Sequence, residues 1–153
     1  MLSTKPLKFI SFAVVLLLGV AAISSAQQRN WQSFGNALAT AQEKNKLVVV
    51  DIWAPWCGWC HKMKQESYPK LSADVAKQFV FTRLNRDDKH TSYQYKGNRL
   101  TAMRLAQKLH AQTVPTVVIL SSDGDYLFHI SGFLDKEKLQ SVLIQTQQLT
   151  FQQ

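Results

Sequence analysis

The chain has few cysteines and no long apolar segment. Only two cysteines occur among its 153 residues, which excludes a small scaffold held together by many disulfides. The longest uncharged apolar run, Phe9 to Ile23, has 15 residues. A helix needs roughly 20 apolar residues to span a bilayer. No internal repeat or low-complexity block is visible, so the sequence favours one compact domain with a core of its own.

The first residues have the features of a secretory signal peptide. Two lysines precede the apolar run, and the small residues Ser24-Ser25-Ala26 follow it. We expect cleavage after Ala26, which removes residues 1–26 and leaves 27–153 as the mature domain; an uncleaved anchor is the alternative. No cysteine directly follows the apolar run, so there is no attachment point for a lipid anchor. The protein is therefore expected in a bacterial periplasm or a similar compartment, without stable membrane insertion.

Acidic residues are in the minority. The whole chain has 18 basic and 10 acidic residues, and loss of the two lysines in the signal peptide leaves 16 basic residues and a formal charge of +6. The basic residues are spread along the chain and are not interleaved with stacking aromatics, so no nucleic-acid partner is expected. They indicate either a solvated basic surface or attraction to acidic proteins or anionic lipid.

The apolar pattern predicts alternating helices and strands. A strand–helix–strand crossover forces parallel pairing, whereas the Asp-Gly turn at Asp123-Gly124 predicts an antiparallel hairpin. The expected fold class is therefore α/β, with a mixed central sheet flanked by helices. The predicted order is a helix over Asn30 to Lys44, strand Leu47 to Trp53, a helix from Cys57 to Tyr68 broken near Pro69, a turn capped by Ser72, strand Phe79 to Leu84, helix Thr101 to His110, strands Val117 to Leu120 and Tyr126 to Ile130, and a helix capped by Asp135.

The two cysteines form the motif Cys57-Gly58-Trp59-Cys60, directly behind the first predicted strand. Two thiols at this spacing can close and reopen a disulfide within one helical turn, which suits electron exchange. A structural disulfide is the first alternative. Because His61 follows, the motif also has the form of a haem-attachment site, which is the second. With only two cysteines and isolated histidines, no zinc site of the usual spacing is predicted.

The motif and a second segment together resemble the thioredoxin superfamily. Val50 to Cys60 is similar to the family's active-site strand and turn, and Thr113-Val114-Pro115-Thr116 is similar to its cis-proline loop. The resemblance covers essentially all of Gln28 to Gln148. It implies a thioredoxin-like fold and thiol–disulfide oxidoreductase activity without a bound cofactor. It further implies that Cys57, at a helix N-terminus that lowers its pKa, is the nucleophile and that Cys60 is the resolving thiol.

Asp51 is the single polar residue in the first predicted strand. Burial is expected to raise the pKa of its carboxyl group, unless the side chain reaches solvent at the strand end. The resemblance implies a third catalytic residue here, one that helps to move the proton of the resolving thiol. Arg83 stands where the family usually has a lysine near this aspartate; it keeps the charge but cannot release its proton.

The resemblance also implies a surface that binds client polypeptides. It places a cis bond at Pro115 and main-chain hydrogen bonds from a client strand at Val114. An ordinary trans proline that starts an edge strand is the alternative. The remaining residues of this predicted substrate-binding set are Trp56, Gly58, Trp59 and Gly132.

The expected function is reduction of disulfides in exported client proteins. A reductase in an oxidising compartment needs an electron donor, and the resemblance implies a membrane protein that carries electrons on its own thiols. Trp59 stands where family reductases commonly have proline, so a disulfide donor or isomerase is one alternative. A binding or chaperone module with non-essential thiols is another. The polar stretch Arg86 to Leu100 is longer than in minimal thioredoxins and is either a partner-binding flap or a surface insertion.

Overall fold

The computed structural model describes residues 29–150. The predicted signal peptide, residues 1–26, and the predicted mature start near Gln27 lie outside the described residues. The described part contains seven strands and five α-helices. They are β1 (Trp31–Gln32), α1 (Phe34–Lys44), β2 (Leu47–Trp53), α2 (Gly58–Lys62), α3 (Ala73–Ala76), β3 (Phe79–Asn85), β4 (Ser92–Tyr95), β5 (Asn98–Thr101), α4 (Ala102–Lys108), β6 (Thr116–Leu120), β7 (Tyr126–Ser131) and α5 (Lys136–Thr150).

Five strands form one mixed sheet in the order β1-β3-β2-β6-β7. The first three strands of that order run parallel, while β6 and β7 pair antiparallel with their neighbours. This confirms the predicted α/β class and the mixed sheet flanked by helices. None of the helices in residues 29–150 is both long and apolar enough to cross a membrane.

Strand β2 lies in the middle of the sheet and is buried on both faces. Side chains alternate in direction along a strand, so Val48, Val50 and Ile52 face one core cluster and Val49 faces the other. Helices α1 and α4 cover the first cluster, and α5 covers the second with Leu139 and Leu143. Such burial on both faces explains the nearly continuous apolar sequence of β2. The C-terminal end of this strand leads to the site described below.

The predicted N-terminal end of the first helix is wrong. Trp31 and Gln32 form a short strand paired with β3, and the helix begins only at Phe34, where the Ser33 hydroxyl accepts a hydrogen bond from the backbone N–H of Asn36. The ring of Trp31 packs edge-on against Tyr68 at 4.9 Å. Trp31 therefore contacts the core through strand pairing and tertiary packing, although its spacing from Phe34 in the sequence is helical.

The segment Arg86 to Leu100 contains a β-hairpin that the sequence analysis missed. Strands β4 and β5 pair through a turn in which Lys96 and Gly97 both have positive φ. The buried hydroxyl of Tyr95 donates to the carbonyl oxygen of Gly124 over 2.9 Å, and Tyr93 packs on Phe34. The hairpin covers the first core cluster, so it is part of the fold and neither of the two expected alternatives describes it fully.

The helix that follows the cysteines changes geometry earlier than predicted. After α2 it continues as a π-helical turn over Met63–Ser67 and then a 3-10 turn, Tyr68–Lys70, which contains Pro69. Proline removes one backbone donor and fixes φ, which accounts for the end of the helix. The π turn brings Tyr68 into the buried region beside β2, and Ser72 caps α3 as predicted.

Candidate active site

The two cysteines lie where β2 ends and α2 begins, at the edge of the sheet where α/β folds place their sites. Cys57 is the N-cap residue of α2, and its Sγ accepts a hydrogen bond from the backbone N–H of Cys60 over 3.1 Å. The two sulfurs are bonded to each other as a disulfide. Cys57 is 5% exposed and Cys60 is fully buried. Cys57 is therefore the more accessible of the two sulfurs, and the roles of nucleophile and resolving thiol stay predictions.

The free N–H groups at the start of a helix stabilise negative charge. Here helical geometry continues without a break from residue 58 to residue 67. A thiolate formed at Cys57 on reduction would lie at that helix end, next to these N–H groups.

Trp56, just before the motif, and Trp59, within it, are largely exposed. Trp56 is 71% exposed, and its indole Nε1 donates to the Asp87 carboxylate over 2.7 Å. Trp59 is 59% exposed and lies against Phe133. Gly58 is open on its Cβ side, with no heavy atom within 4 Å. These three residues therefore offer a surface beside the disulfide; that they bind substrate stays a prediction.

The proline loop lies beside the cysteines. The Val114–Pro115 peptide bond is cis, and Val114 packs on the small cluster that contains Cys57 and Cys60. The N–H of Gly132 donates to the carbonyl oxygen of Pro115 over 2.8 Å, which ties the end of β7 to this loop. Gly132 has φ +100, so its backbone conformation favours glycine, while a Cβ here would meet nothing within 4 Å.

Asp51 is fully buried on β2, which excludes the alternative that it reaches solvent. Burial raises the pKa of its carboxyl group, and the positive charge of Arg83 offsets part of this rise. The Nε of Arg83, on the neighbouring position of β3, donates to Asp51 Oδ2 over 2.6 Å. The predicted proximity of the arginine and the predicted direction of the pKa shift are both confirmed.

Tyr68 is a residue of this region that the sequence analysis missed. It is fully buried, and its hydroxyl lies close enough to the Asp51 carboxylate to interact with it. Burial raises the pKa of the phenol well above its usual value, and the nearby Asp51 carboxylate raises it further. The sequence around Tyr68 does not predict that it lies near Asp51, because the direction of its side chain depends on the π-helical turn that precedes it.

His61 has a local structural role. Its Nε2 lies 2.8 Å from the carbonyl oxygen of Pro55, and its ring packs edge-on against Trp53 at 5.9 Å. The histidine therefore fastens the start of α2 to the turn that carries the cysteines. Trp53 in turn lies 4.5 Å below the guanidinium of Arg83. These contacts link the motif to the buried ion pair.

Comparison with known proteins decides which family builds this arrangement. A family profile described as a thioredoxin-like domain matches residues 34–147, well over half of the chain. The chain belongs to the thioredoxin family. Its thioredoxin relatives include one from Bacillus subtilis, 26% identical over 104 residues, which are 68% of this chain and 86% of the relative. A thioredoxin of Staphylococcus aureus is 30% identical over 63% of this chain and 79% of its own length.

Solved structures share the fold of this chain. Oxidised thioredoxin O2 of Arabidopsis thaliana superposes with a TM-score of 0.53 at 23% identity, over 73% of this chain and 84% of that one. The DsbH oxidoreductase gives 0.53 at 18% identity, over 74% and 83% of the two chains. The family match and the curated relatives make the protein a thioredoxin-like redox protein with a cysteine pair at disulfide distance. Membership of this family favours the redox interpretation over haem attachment.

The buried carboxyl group predicts a pH-dependent stability. Because folding raises the pKa of Asp51 above its usual 3.8, the folded state holds this proton more tightly than the unfolded state. The contribution of Asp51 is therefore most favourable below pH 3.8 and decreases as pH rises through the folded pKa. We expect the difference in unfolding free energy between the wild type and Asp51→Asn to fall by up to about 1.4 kcal/mol per pH unit in that window.

Urea denaturation of the two oxidised proteins between pH 3.5 and 8 measures this difference. Asp74 and Asp88 have lowered pKa values, caused mainly by side-chain hydrogen bonds, and act in the opposite direction. Both aspartates are present in the two proteins, so their effects cancel in the difference. A difference that stays constant with pH would contradict a raised pKa at Asp51.

Proposed function

We propose that this protein is an exported thiol–disulfide oxidoreductase whose main activity is the reduction of disulfides in client proteins. One observation carries the proposal: a disulfide between Cys57 and Cys60 lies at the start of a helix, beside an exposed surface and the Pro115 loop. Export is inferred from the predicted signal peptide, and the predicted compartment is the periplasm.

The reaction needs two exchanges of sulfur partners. The Cys57 thiolate attacks one sulfur of a client disulfide, which forms a mixed disulfide and releases the other client sulfur as a thiolate that takes up a proton. Cys60 then loses its proton and attacks the sulfur of Cys57, which releases the second client thiol. The client gains two electrons and two protons, and the protein ends as the Cys57–Cys60 disulfide.

Asp51 is proposed to accept the proton of Cys60 during the second exchange. A carboxyl group whose pKa is raised by burial is a better proton acceptor than an ordinary surface carboxylate. The group is fully buried on β2, the strand that ends at Trp53, just before the turn that leads to Cys57. Restoring the dithiol requires two electrons from a donor dithiol, for which we propose a thiol-carrying membrane protein.

A second candidate function is supported by Trp59. This residue occupies one of the two positions between the cysteines, which influence the relative stability of thiolate and disulfide. If it stabilises the dithiol form, electrons flow from clients to the protein, which then acts as a disulfide donor or isomerase. The direction of electron flow therefore follows from the reduction potential.

The test is the reduction potential of residues 27–153 in glutathione buffers, followed by tryptophan fluorescence. We expect a value at or below about −230 mV, in the range of dedicated reductases. A value near about −120 mV would make the protein an oxidant and overturn the proposed direction. A variant with both cysteines replaced by serine serves as the control, because its fluorescence should not respond to the buffer potential.

A further inference from the structure

Trp59, Phe133 and Lys62 form a compact surface beside the disulfide, which we call the aromatic platform. The rings of Trp59 and Phe133 lie 5.0 Å apart at an angle of 45°. The ammonium group of Lys62 lies 5.4 Å from the centre of each ring. The platform therefore combines an exposed apolar face with a cation held above it by cation–π attraction.

The platform extends the site in one direction. Trp59 stands between the two cysteines, and Phe133 follows Gly132, whose N–H is bonded to Pro115. In the sheet order, β3 and β7 lie on opposite sides of β2. Trp56 contacts Asp87 just after β3, whereas Phe133 follows β7. A client strand that lies along Val114 would therefore meet the platform on the β7 side of its cysteine.

The charge on the platform is uncompensated. Among residues 29–150, Lys62 has no carboxylate within ion-pair distance. On the β3 side the situation differs, because Asp87 pairs with Arg86 and accepts from Trp56. An incoming carboxylate beside the aromatic rings would thus find a free cation and an apolar surface for its aliphatic stem. A basic side chain there would meet a like charge.

We propose that the aromatic platform is a subsite that favours client segments with an acidic side chain close to the cysteine to be attacked. The proposal rests on the client-reducing function above and names the chemistry of its substrates. Lys62 supplies the charge selection, while Trp59 and Phe133 supply contact area. The cation also increases the rate at which an acidic segment and the protein meet at low ionic strength.

The test compares disulfide-bonded peptides that differ in one residue. That residue is Glu, Gln or Lys, placed in separate series on the N-terminal and the C-terminal side of the cysteine. We expect the reduced wild type to reduce the Glu peptide of one series about twofold to fivefold faster than the matching Lys peptide at low salt. The preference should disappear at 1 M salt, because the charges are exposed.

Two variants assign the preference to the platform. Lys62→Glu should reverse the order, so that the Lys peptide becomes the faster one. Lys44→Glu is the matched control, since Lys44 is exposed at the end of α1, near the start of β2, and so lies at the end of β2 opposite the disulfide. Equal rates for the Glu and Lys peptides in both series, or an unchanged order in Lys62→Glu, would overturn the proposal.

A binding measurement separates this proposal from the proposed function. Peptides with serine in place of cysteine cannot react, and their binding to the oxidised protein can be followed by fluorescence. If no peptide is reduced, the reductase function fails. A binding order of Glu before Lys that Lys62→Glu reverses would then still support the platform, and the absence of that order would overturn it.

Discussion

Cys57→Ser is expected to lose disulfide reduction completely, with a fall in rate on the order of a thousandfold or more. A serine hydroxyl at this position does not ionise near neutral pH, so no nucleophile remains at the exposed end of α2. Cys60 does not replace it, because its side chain is fully buried. The assay is reduction of a protein disulfide by the pre-reduced variant.

Cys60→Ser is the matched variant and should fail differently. Its Cys57 can still attack a client, but no second thiol releases the mixed disulfide. We expect a covalent one-to-one complex that accumulates, is visible without reductant and dissolves on addition of dithiothreitol. Both variants carry the same chemical change, so the contrast between them reports position in the site.

The same pair of variants distinguishes an enzyme from a binding module. If a strain that lacks this protein recovers fully with the Cys57→Ser form, the thiols are dispensable and the protein acts by binding alone. Loss of function in that strain, together with trapped complexes from Cys60→Ser, supports the proposed oxidoreductase. The trapped complexes would also supply the clients for identification.

Arg83→Met is expected to destabilise the folded protein by about 3–5 kcal/mol at pH 7. The guanidinium donates to Asp51 over 2.6 Å and lies between the rings of Trp53 and Trp31. Its removal leaves a fully buried carboxylate without its ion-pair partner, so Asp51 must either remain charged at high cost or take up a proton. Urea denaturation of the oxidised protein measures the loss.

Two comparisons identify the cause of that loss. The penalty should be smaller at pH 4 than at pH 7, because removing Arg83 raises the pKa of Asp51 further and protonation relieves the charge. The double variant Arg83→Met with Asp51→Leu should recover most of the stability, since neither charge remains buried. Equal stability of Arg83→Met and the wild type at pH 7 would mean that the ion pair does not stabilise the fold.

Arg83→Lys is the conservative control. An ammonium group keeps the charge beside Asp51 but has no planar face to stack on Trp53, so we expect a smaller loss than for methionine. This comparison also measures what the arginine contributes beyond its charge at a position where the family usually has lysine.

The best predictions from sequence concern segments whose structure is decided locally. The apolar, β-branched run of β2 was predicted with the observed bounds, Leu47–Trp53. The Ser72 cap and the hairpin turn at Asp123-Gly124 follow from short-range chemistry in the same way. The buried environment of Asp51 was also predictable, because a polar residue inside a strand buried on both faces has no route to solvent.

The missed features depend on contacts between distant parts of the chain. Trp31 was assigned to a helix because its spacing from Phe34 is helical, whereas pairing with β3 holds it in a strand. The β4–β5 hairpin lies in a polar stretch of sequence. It is held to the rest of the fold by the hydrogen bond from Tyr95 to Gly124, a residue distant in sequence. The spacing of residues along the chain does not predict contacts between residues that are distant in sequence.

The sequence by itself determined the fold class, the central strand and the redox motif, because each depends on residues within one element or one turn. It also indicated the ionisable residue Asp51 on β2 and the loop that carries Pro115. Only the tertiary structure decided that Tyr68 faces Asp51 and that Lys62 and Phe133 complete a surface around Trp59. These residues come from separate elements. Their contacts depend on how the helices pack on the sheet, and interactions between neighbouring residues in sequence do not specify that packing.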